Sequence, residues 1–301
     1  MPEGRFVFKD GELIDTQAGV KRQIDCNKFA EFVTKEYGLR VPRATLYAVC
    51  VNYNVGNNML FAGDPGVGKT MMIKALAEYT GIYRKPIRNE RGELVENPDN
   101  GYIRVQMYPG ITYVEFIGDW DYPRQLVAVE ALRGGIKVSP ENIDEVERAL
   151  EKISQIVYNP ERMFRAGPAV RALEKAKTGS ILHVDELNRG SEESQALLFE
   201  ITGEKQVTHP SGKVFRSTDE YTSSGEKADW KVTFPQYPMI IATINEGDVA
   251  TVELSNALLR RFVRIPFLRP GVKEILDVVS ERAGSRIQSA ERRLKDVFHR
   301  A

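Results

Sequence analysis

Cysteine is scarce in this chain: there are two in 301 residues, Cys26 and Cys50, and neither sits in a metal-ligand spacing. So sparse a pair makes no disulfide framework, and the expectation is a reduced protein. Histidine is scarce too, and His183, His209 and His299 are scattered, which leaves no visible metal cluster. Net charge is absent, since 42 basic side chains balance 42 acidic ones. That balance lacks the footprint of a dedicated nucleic-acid binder, although a local basic patch stays open. No apolar run approaches the roughly 18 residues that a membrane-spanning helix needs. The N-terminus reads as polar, with no apolar signal segment, so the expected location is cytoplasmic. No internal repeat or low-complexity tract appears.

What is present fits a globular protein. The chain is 42% hydrophobic and 28% charged, enough for one large domain or one domain with a small appendage. Lys9 to Glu12 reads as a turn between short extended pieces. Residues 27–38 and 43–55 read as helices, the first with Phe29, Phe32, Val33 and Tyr37 on one face. Met59 to Ala62 is a short apolar run suited to a buried parallel strand. A helix follows from Thr70 to Tyr79, a surface loop or hairpin over 84–101, and a strand from Tyr102 to Tyr108. Ser139 and Pro140 open an amphipathic helix over 139–157, striped by Ile143, Val146, Leu150, Ile153 and Val157. Further strands are expected at Ser180–Val184, Met239–Ile244 and Phe262–Leu268, and two short amphipathic helices over 272–299. Strands alternating with helices predict an α/β fold, a parallel sheet with helices on both faces.

The most specific chemistry lies between the first such strand and its helix. Gly63-Asp64-Pro65-Gly66-Val67-Gly68-Lys69-Thr70 matches the phosphate-loop pattern. Small residues let backbone N–H groups approach a phosphate, and the helix beginning near Gly68 points its positive end at the same anion. Lys69 would reach the β- and γ-phosphates, and the Thr70 hydroxyl would bind Mg²⁺. The implied ligand is a nucleoside triphosphate, read as ATP.

A phosphate-loop hydrolase needs an acid delivered from a second strand. Ile181-Leu182-His183-Val184 ends in Asp185 and Glu186. Asp185 would hold the metal and Glu186 would act as general base on water. His183, inside the apolar run, reads as a packed core residue. Asn245 ends the next apolar strand and would orient the water, although strand ends carry asparagine for ordinary turn reasons as well. Arg260 and Arg261 precede the last strand as candidates for an arginine finger acting on a neighbouring subunit's site.

Taken together these segments resemble the AAA+ ATPases, and within them the MoxR-like group, over roughly residues 45–268. The residues carrying the resemblance are the phosphate loop, Arg165-Ala166-Gly167-Pro168, and Asp185-Glu186-Leu187-Asn188-Arg189. Ser194-Gln195-Ala196-Leu197-Leu198-Phe199-Glu200 and Lys205-Gln206-Val207-Thr208 follow in the family's order. The resemblance implies a P-loop core with strand order 5-1-4-3-2 and a helix-2 insert within 109–168. It also implies a hairpin before sensor 1 within 203–237, with Asn245 as the sensor-1 residue. Both extra elements usually face a ring pore or a client, so the aromatic stretch Tyr113 to Tyr122 is either exposed or core. The departure is C-terminal. The stretch 269–301 is short for the usual lid, and among Arg282, Arg286, Arg292 and Arg293 no sensor-2 match is clear.

The expected organisation is therefore an N-terminal extension over 1–42, a nucleotide-binding domain over 43–268, and a reduced helical lid or tail over 269–301. The expected activity is ATP hydrolysis with Mg²⁺ in a ring, read as a hexamer, that remodels a client protein. Rival readings are a GTPase or small-molecule kinase, a DNA-linked motor or restriction-type subunit, and a non-hydrolysing assembly switch. The first lacks an Asn-Lys-x-Asp base-reading motif, and Glu186 speaks against the last.

Overall fold

The computed structural model describes residues 6–133, 143–157, 163–217, 221–223, 232–234, 238–246 and 252–269. The expected helices over 272–299, their arginines and the cap pair Ser139-Pro140 lie outside these residues.

The chain opens with three antiparallel strands, β1 (Phe6–Lys9), β2 (Glu12–Asp15) and β3 (Val20–Gln23). Asp10 and Gly11 take φ of 52° and 82°. Two positive φ values in a two-residue loop match the right-handed twist of the hairpin. Helix α1 (Cys26–Tyr37) starts where Asp25 accepts from the N–H groups of Asn27 and Lys28 and stops at left-handed Gly38. Helix α2 (Arg43–Val55) ends in the same way at Gly56.

The order then becomes strand–helix. Strand β4 (Met59–Gly63) leads into α3 (Lys69–Tyr79); a small hairpin, β5 (Ile87–Arg88) with β6 (Leu94–Val95), precedes β7 (Tyr102–Gln106). Next come α4 (Tyr113–Phe116), β8 (Gly118–Trp120), α5 (Tyr122–Arg133) and α6 (Ile143–Val157). Strand β9 (Phe164–Ala166) returns to pair with β8, so the insert leaves and re-enters through a short antiparallel ladder. Helix α7 (Pro168–Glu174), β10 (Ile181–Asp185) and α8 (Glu192–Glu204) follow. Where one hairpin was expected over 203–237 there are two, β11 (Gln206–Thr208) with β12 (Val214–Arg216), and β13 (Tyr221–Ser223) with β14 (Val232–Phe234). Strand β15 (Met239–Asn245), the short helix α9 (Asn256–Leu259) and β16 (Val263–Pro266) complete the described chain.

The central sheet runs β16-β4-β15-β10-β7, and every pairing in it is parallel. Counting only these strands along the chain gives the order 5-1-4-3-2. Its three inner strands, β4, β15 and β10, are buried on both faces, which is why they read as apolar runs, whereas the edge strands β7 and β16 keep exposed positions. Successive residues face opposite layers. Met59 and Phe61 join the core built with α1, α2 and α3, while Leu60 joins the core built with α4, α7 and α8. Each such side chain, fully buried, contributes about 1.5–3 kcal/mol. The aromatic stretch divides: Phe116 is wholly buried, whereas Tyr113 and Tyr122 are exposed.

The expectation of a reduced chain is corrected. Cys26, the first residue of α1, and Cys50, on the buried face of α2, are joined in a disulfide with Cα atoms 5.5 Å apart. The sequence hid this because the two residues are 24 apart and meet only when the two helices pack. Among the described residues no helix is long and apolar enough to cross a membrane.

Candidate functional site

The site forms at the C-terminal ends of the parallel strands. There the sheet's strand order reverses direction between β4 and β15, a place where ligands bind in open α/β sheets. Gly63 ends β4, and in the register of the sheet it lies opposite Asn245, the last residue of β15. That pairing alone brings the phosphate loop beside the polar strand end. Gly63 has φ 155°, and a Cβ there would stand 2.2 Å from the carbonyl oxygen of Phe267. Gly68 is constrained by its backbone, at φ 95°, and a Cβ there would also press on the end of the Leu39 side chain at 2.4 Å. Only glycine suits either position.

Lys69 opens α3 and folds back into the loop. Its ammonium donates to the carbonyl oxygens of Gly63 (2.6 Å) and Asp64 (2.8 Å) and to Oδ1 of Asn245 (3.0 Å). The side chain is buried. Burial holds its pKa below the usual lysine range, against the pull of Asp185, Asp64, Glu246 and Glu186. A buried cation whose direct partners are all neutral is a fitting cradle for an anion. Thr70, half buried, is the next residue of the helix. Asp64 is tied by its carboxylate to Arg269 Nε at 2.6 Å, which links the loop to the chain beyond β16.

Asp185 ends β10. Its Oδ1 accepts from the Thr243 hydroxyl at 2.6 Å, and the His183 ring lies 3.5 Å from the same oxygen. Its Oδ2 accepts from Arg104, through Nε at 3.0 Å and through a second guanidinium nitrogen. Burial pushes this carboxyl's pKa upward, but the contacts with His183, Thr243 and Arg104 outweigh it and hold the group well below the usual carboxylate range. It is a carboxylate at all working pH values. His183 is itself wholly buried, with Nδ1 2.7 Å from the Tyr102 hydroxyl. Burial lowers its pKa, against the pull of Asp185, so the ring is neutral and packs as a core group.

Glu186 leaves the strand in the left-handed region, at φ 53°. A non-glycine residue there is held by its surroundings. Its N–H donates to Thr243 Oγ1 at 2.9 Å. Its carboxylate accepts from Asn245 Nδ2 (3.0 Å) and Gln106 Nε2 (2.6 Å) and pairs with Arg189 (3.2 Å). The Asn245 carbonyl is in turn held by Asn188 Nδ2 at 3.0 Å. A continuous polar chain therefore runs from Lys69 through Asn245, Glu186, Gln106 and Arg104 to Asp185.

The structure thus brings together Lys69, Asp185, Glu186 and Asn245, with Gly63 to Thr70 around them. It does not bring Arg260 or Arg261 into the same network. Arg261 donates to the Ala257 carbonyl at 2.7 Å and lies over the Phe199 ring, 5.1 Å from its centroid. Arg260 is exposed. Sequence reading passed over Arg104, Gln106 and Thr243. The signal for the first two was an alternation, Tyr102-Ile103-Arg104-Val105-Gln106, with polar side chains recurring at the end of an otherwise buried strand. Thr243, buried within an apolar run, offered none.

The donor set suits a hard divalent cation, since oxygen ligands are what Mg²⁺ takes and Asp185 is an ionised carboxylate beside a phosphate loop. Asp185 and Thr70 are the residues that would hold it.

The family described as AAA domain (dynein-related subfamily) matches residues 58–262. An uncharacterized Bacillus subtilis protein, YojN, is 24% identical over 232 residues, covering 75% of this chain and 53% of YojN. An uncharacterized Staphylococcus aureus protein is 31% identical over 107 residues, 35% of this chain and 33% of that protein. The chain therefore spans about half, or a third, of the length of these curated relatives. A solved Cytophaga hutchinsonii protein superimposes with a TM-score of 0.46 at 18% identity, covering 86% of this chain and 56% of that one. The family match takes in the phosphate loop, the acidic strand and Asn245, and it covers well over half of the sequence: the chain belongs to the AAA+ ATPases, in the AAA-domain family of the dynein-related subfamily.

Proposed function

We propose that this protein binds ATP with Mg²⁺ and hydrolyses it, and that it works as a MoxR-like ring, a hexamer, which uses turnover to remodel a client protein. The observation that carries the hydrolytic part is the contact chain Lys69–Asn245–Glu186. One asparagine side chain touches both the phosphate-loop cation and the candidate base, so a group at the end of the triphosphate would lie between them. Lys69 would exchange its carbonyl partners for phosphate oxygens. Glu186 would accept the proton of the attacking water, with Asn245 holding that water in line. When bound, Mg²⁺ supplies charge neutralisation across the phosphates. Both arginines are exposed, and Arg260 is the better candidate finger because the Arg261 guanidinium is engaged by the Ala257 carbonyl and the Phe199 ring. The domain limits that suit this reading are 43–268 for the nucleotide-binding unit, with extensions on either side. The ring and the client rest on the resemblance to MoxR-like proteins.

The test is calorimetric titration with ATP and Mg²⁺. Lys69→Ala is expected to remove measurable binding while the fold survives, since the side chain's present partners are neutral. An unchanged affinity would overturn the assignment of the loop.

A further inference from the structure

Asp185 has two faces, and they are held differently. Oδ1 points inward to Thr243, a residue 1% exposed, and to the buried His183. That side is fixed by the core. Oδ2 is taken by Arg104, whose side chain is 47% exposed at the end of β7. That side is exchangeable. Among the described residues, Arg104 is the cation in direct contact with this carboxylate.

A buried carboxylate without a partner is costly, so some cation belongs beside it in every state. The same oxygen is the one left to turn toward a metal, since Oδ1 is committed to the core. We propose that Arg104 is a positioning residue that occupies the metal-facing oxygen of Asp185 in the nucleotide-free protein and must release it before Mg²⁺ can bind with nucleotide. This inference rests on the proposed ATP site and concerns its loading. The guanidinium holds Asp185 in one orientation through Oδ2, and it also competes with the metal for that oxygen. Its departure has a second consequence: Arg104 donates to Gln106 Oε1 at 3.1 Å, and Gln106 Nε2 holds Glu186. Release of Arg104 therefore removes one of the contacts that orients the side chain bracing the base.

The experiment measures nucleotide affinity against Mg²⁺ concentration, using ATPγS and calorimetry, for the wild-type chain, Arg104→Gln and Arg104→Lys. Thermal unfolding of each protein checks the fold. Arg104→Gln removes the competing charge and is expected to lower the Mg²⁺ concentration at half-effect by about two- to fivefold, the range of a partly exposed ion pair. Arg104→Lys keeps the charge and should stay near the wild-type midpoint. A purely structural role would weaken binding without moving the midpoint. Mn²⁺ binding to the nucleotide-free chain, followed by water-proton relaxation, gives a second reading: Arg104→Gln should bind Mn²⁺ more tightly than wild type. If wild type binds ATPγS and Lys69→Ala does not, but both Arg104 variants keep the wild-type midpoint, the Arg104 inference falls and the site assignment stands. If wild type binds no nucleotide at any Mg²⁺ concentration, both fall.

Discussion

Replacing Glu186 by glutamine separates chemistry from binding in this site. The carboxylate accepts from Asn245 Nδ2 and Gln106 Nε2 and pairs with Arg189. Glutamine has one acceptor oxygen. If that oxygen stays toward Gln106 and Arg189, the new amide faces the Asn245 amide, and one donor–acceptor contact is lost. Asn245 is still anchored by Lys69 and by Asn188 at its carbonyl. The expected loss of stability is that of one hydrogen bond, about 1 kcal/mol. The loss of a general base is larger, about 10²- to 10⁴-fold in turnover, or roughly 3–5.5 kcal/mol on the barrier. ATP affinity should change little, because no contact of Lys69 is disturbed. Phosphate release, calorimetric affinity and denaturant unfolding, measured on the same preparation, separate the three terms. Turnover within tenfold of wild type would refute the assignment of Glu186 as base. A collapse of affinity equal to the collapse of turnover would show that Glu186 acts in binding instead.

Three further outcomes concern other parts of the molecule. Arg260→Ala subunits mixed into wild-type rings should depress activity more steeply than dilution, because an exposed arginine acting across the interface disables its neighbour's site. Arg261→Ala should mainly lower stability, since its guanidinium packs on Phe199 and bonds Ala257; strictly proportional dilution by Arg260→Ala would remove it as the finger. Reducing the Cys26–Cys50 disulfide opens a covalent loop 24 residues in span and, on loop entropy, should cost about 3.5 kcal/mol. An unchanged denaturant midpoint with and without reductant would count against a stabilising role.

Much of this protein is written locally. Apolar runs at Met59, Ile181 and Met239 announce strands buried on both faces, and the glycines of the loop from Gly63 to Thr70 announce a backbone shaped for phosphate. Such features survive in a sequence because they depend on residue type and short spacing. The insert was harder: β8 and β9 pair Gly118 with Ala166 across a long excursion, and nothing near either residue marks the partner. Cys26 and Cys50 show the same limit, since a disulfide depends on helix packing and not on spacing. The site divides along this line too. By itself the sequence determined the phosphate loop, the acidic pair and the α/β alternation, each a short-range pattern with its own chemistry. Only the tertiary structure decided that Arg104 faces Asp185, that Gln106 and Arg189 brace Glu186, and that Asn245 joins the base to Lys69. Those contacts join β7, β10, β15 and α3, and only parallel pairing in this strand order brings the ends of these elements together.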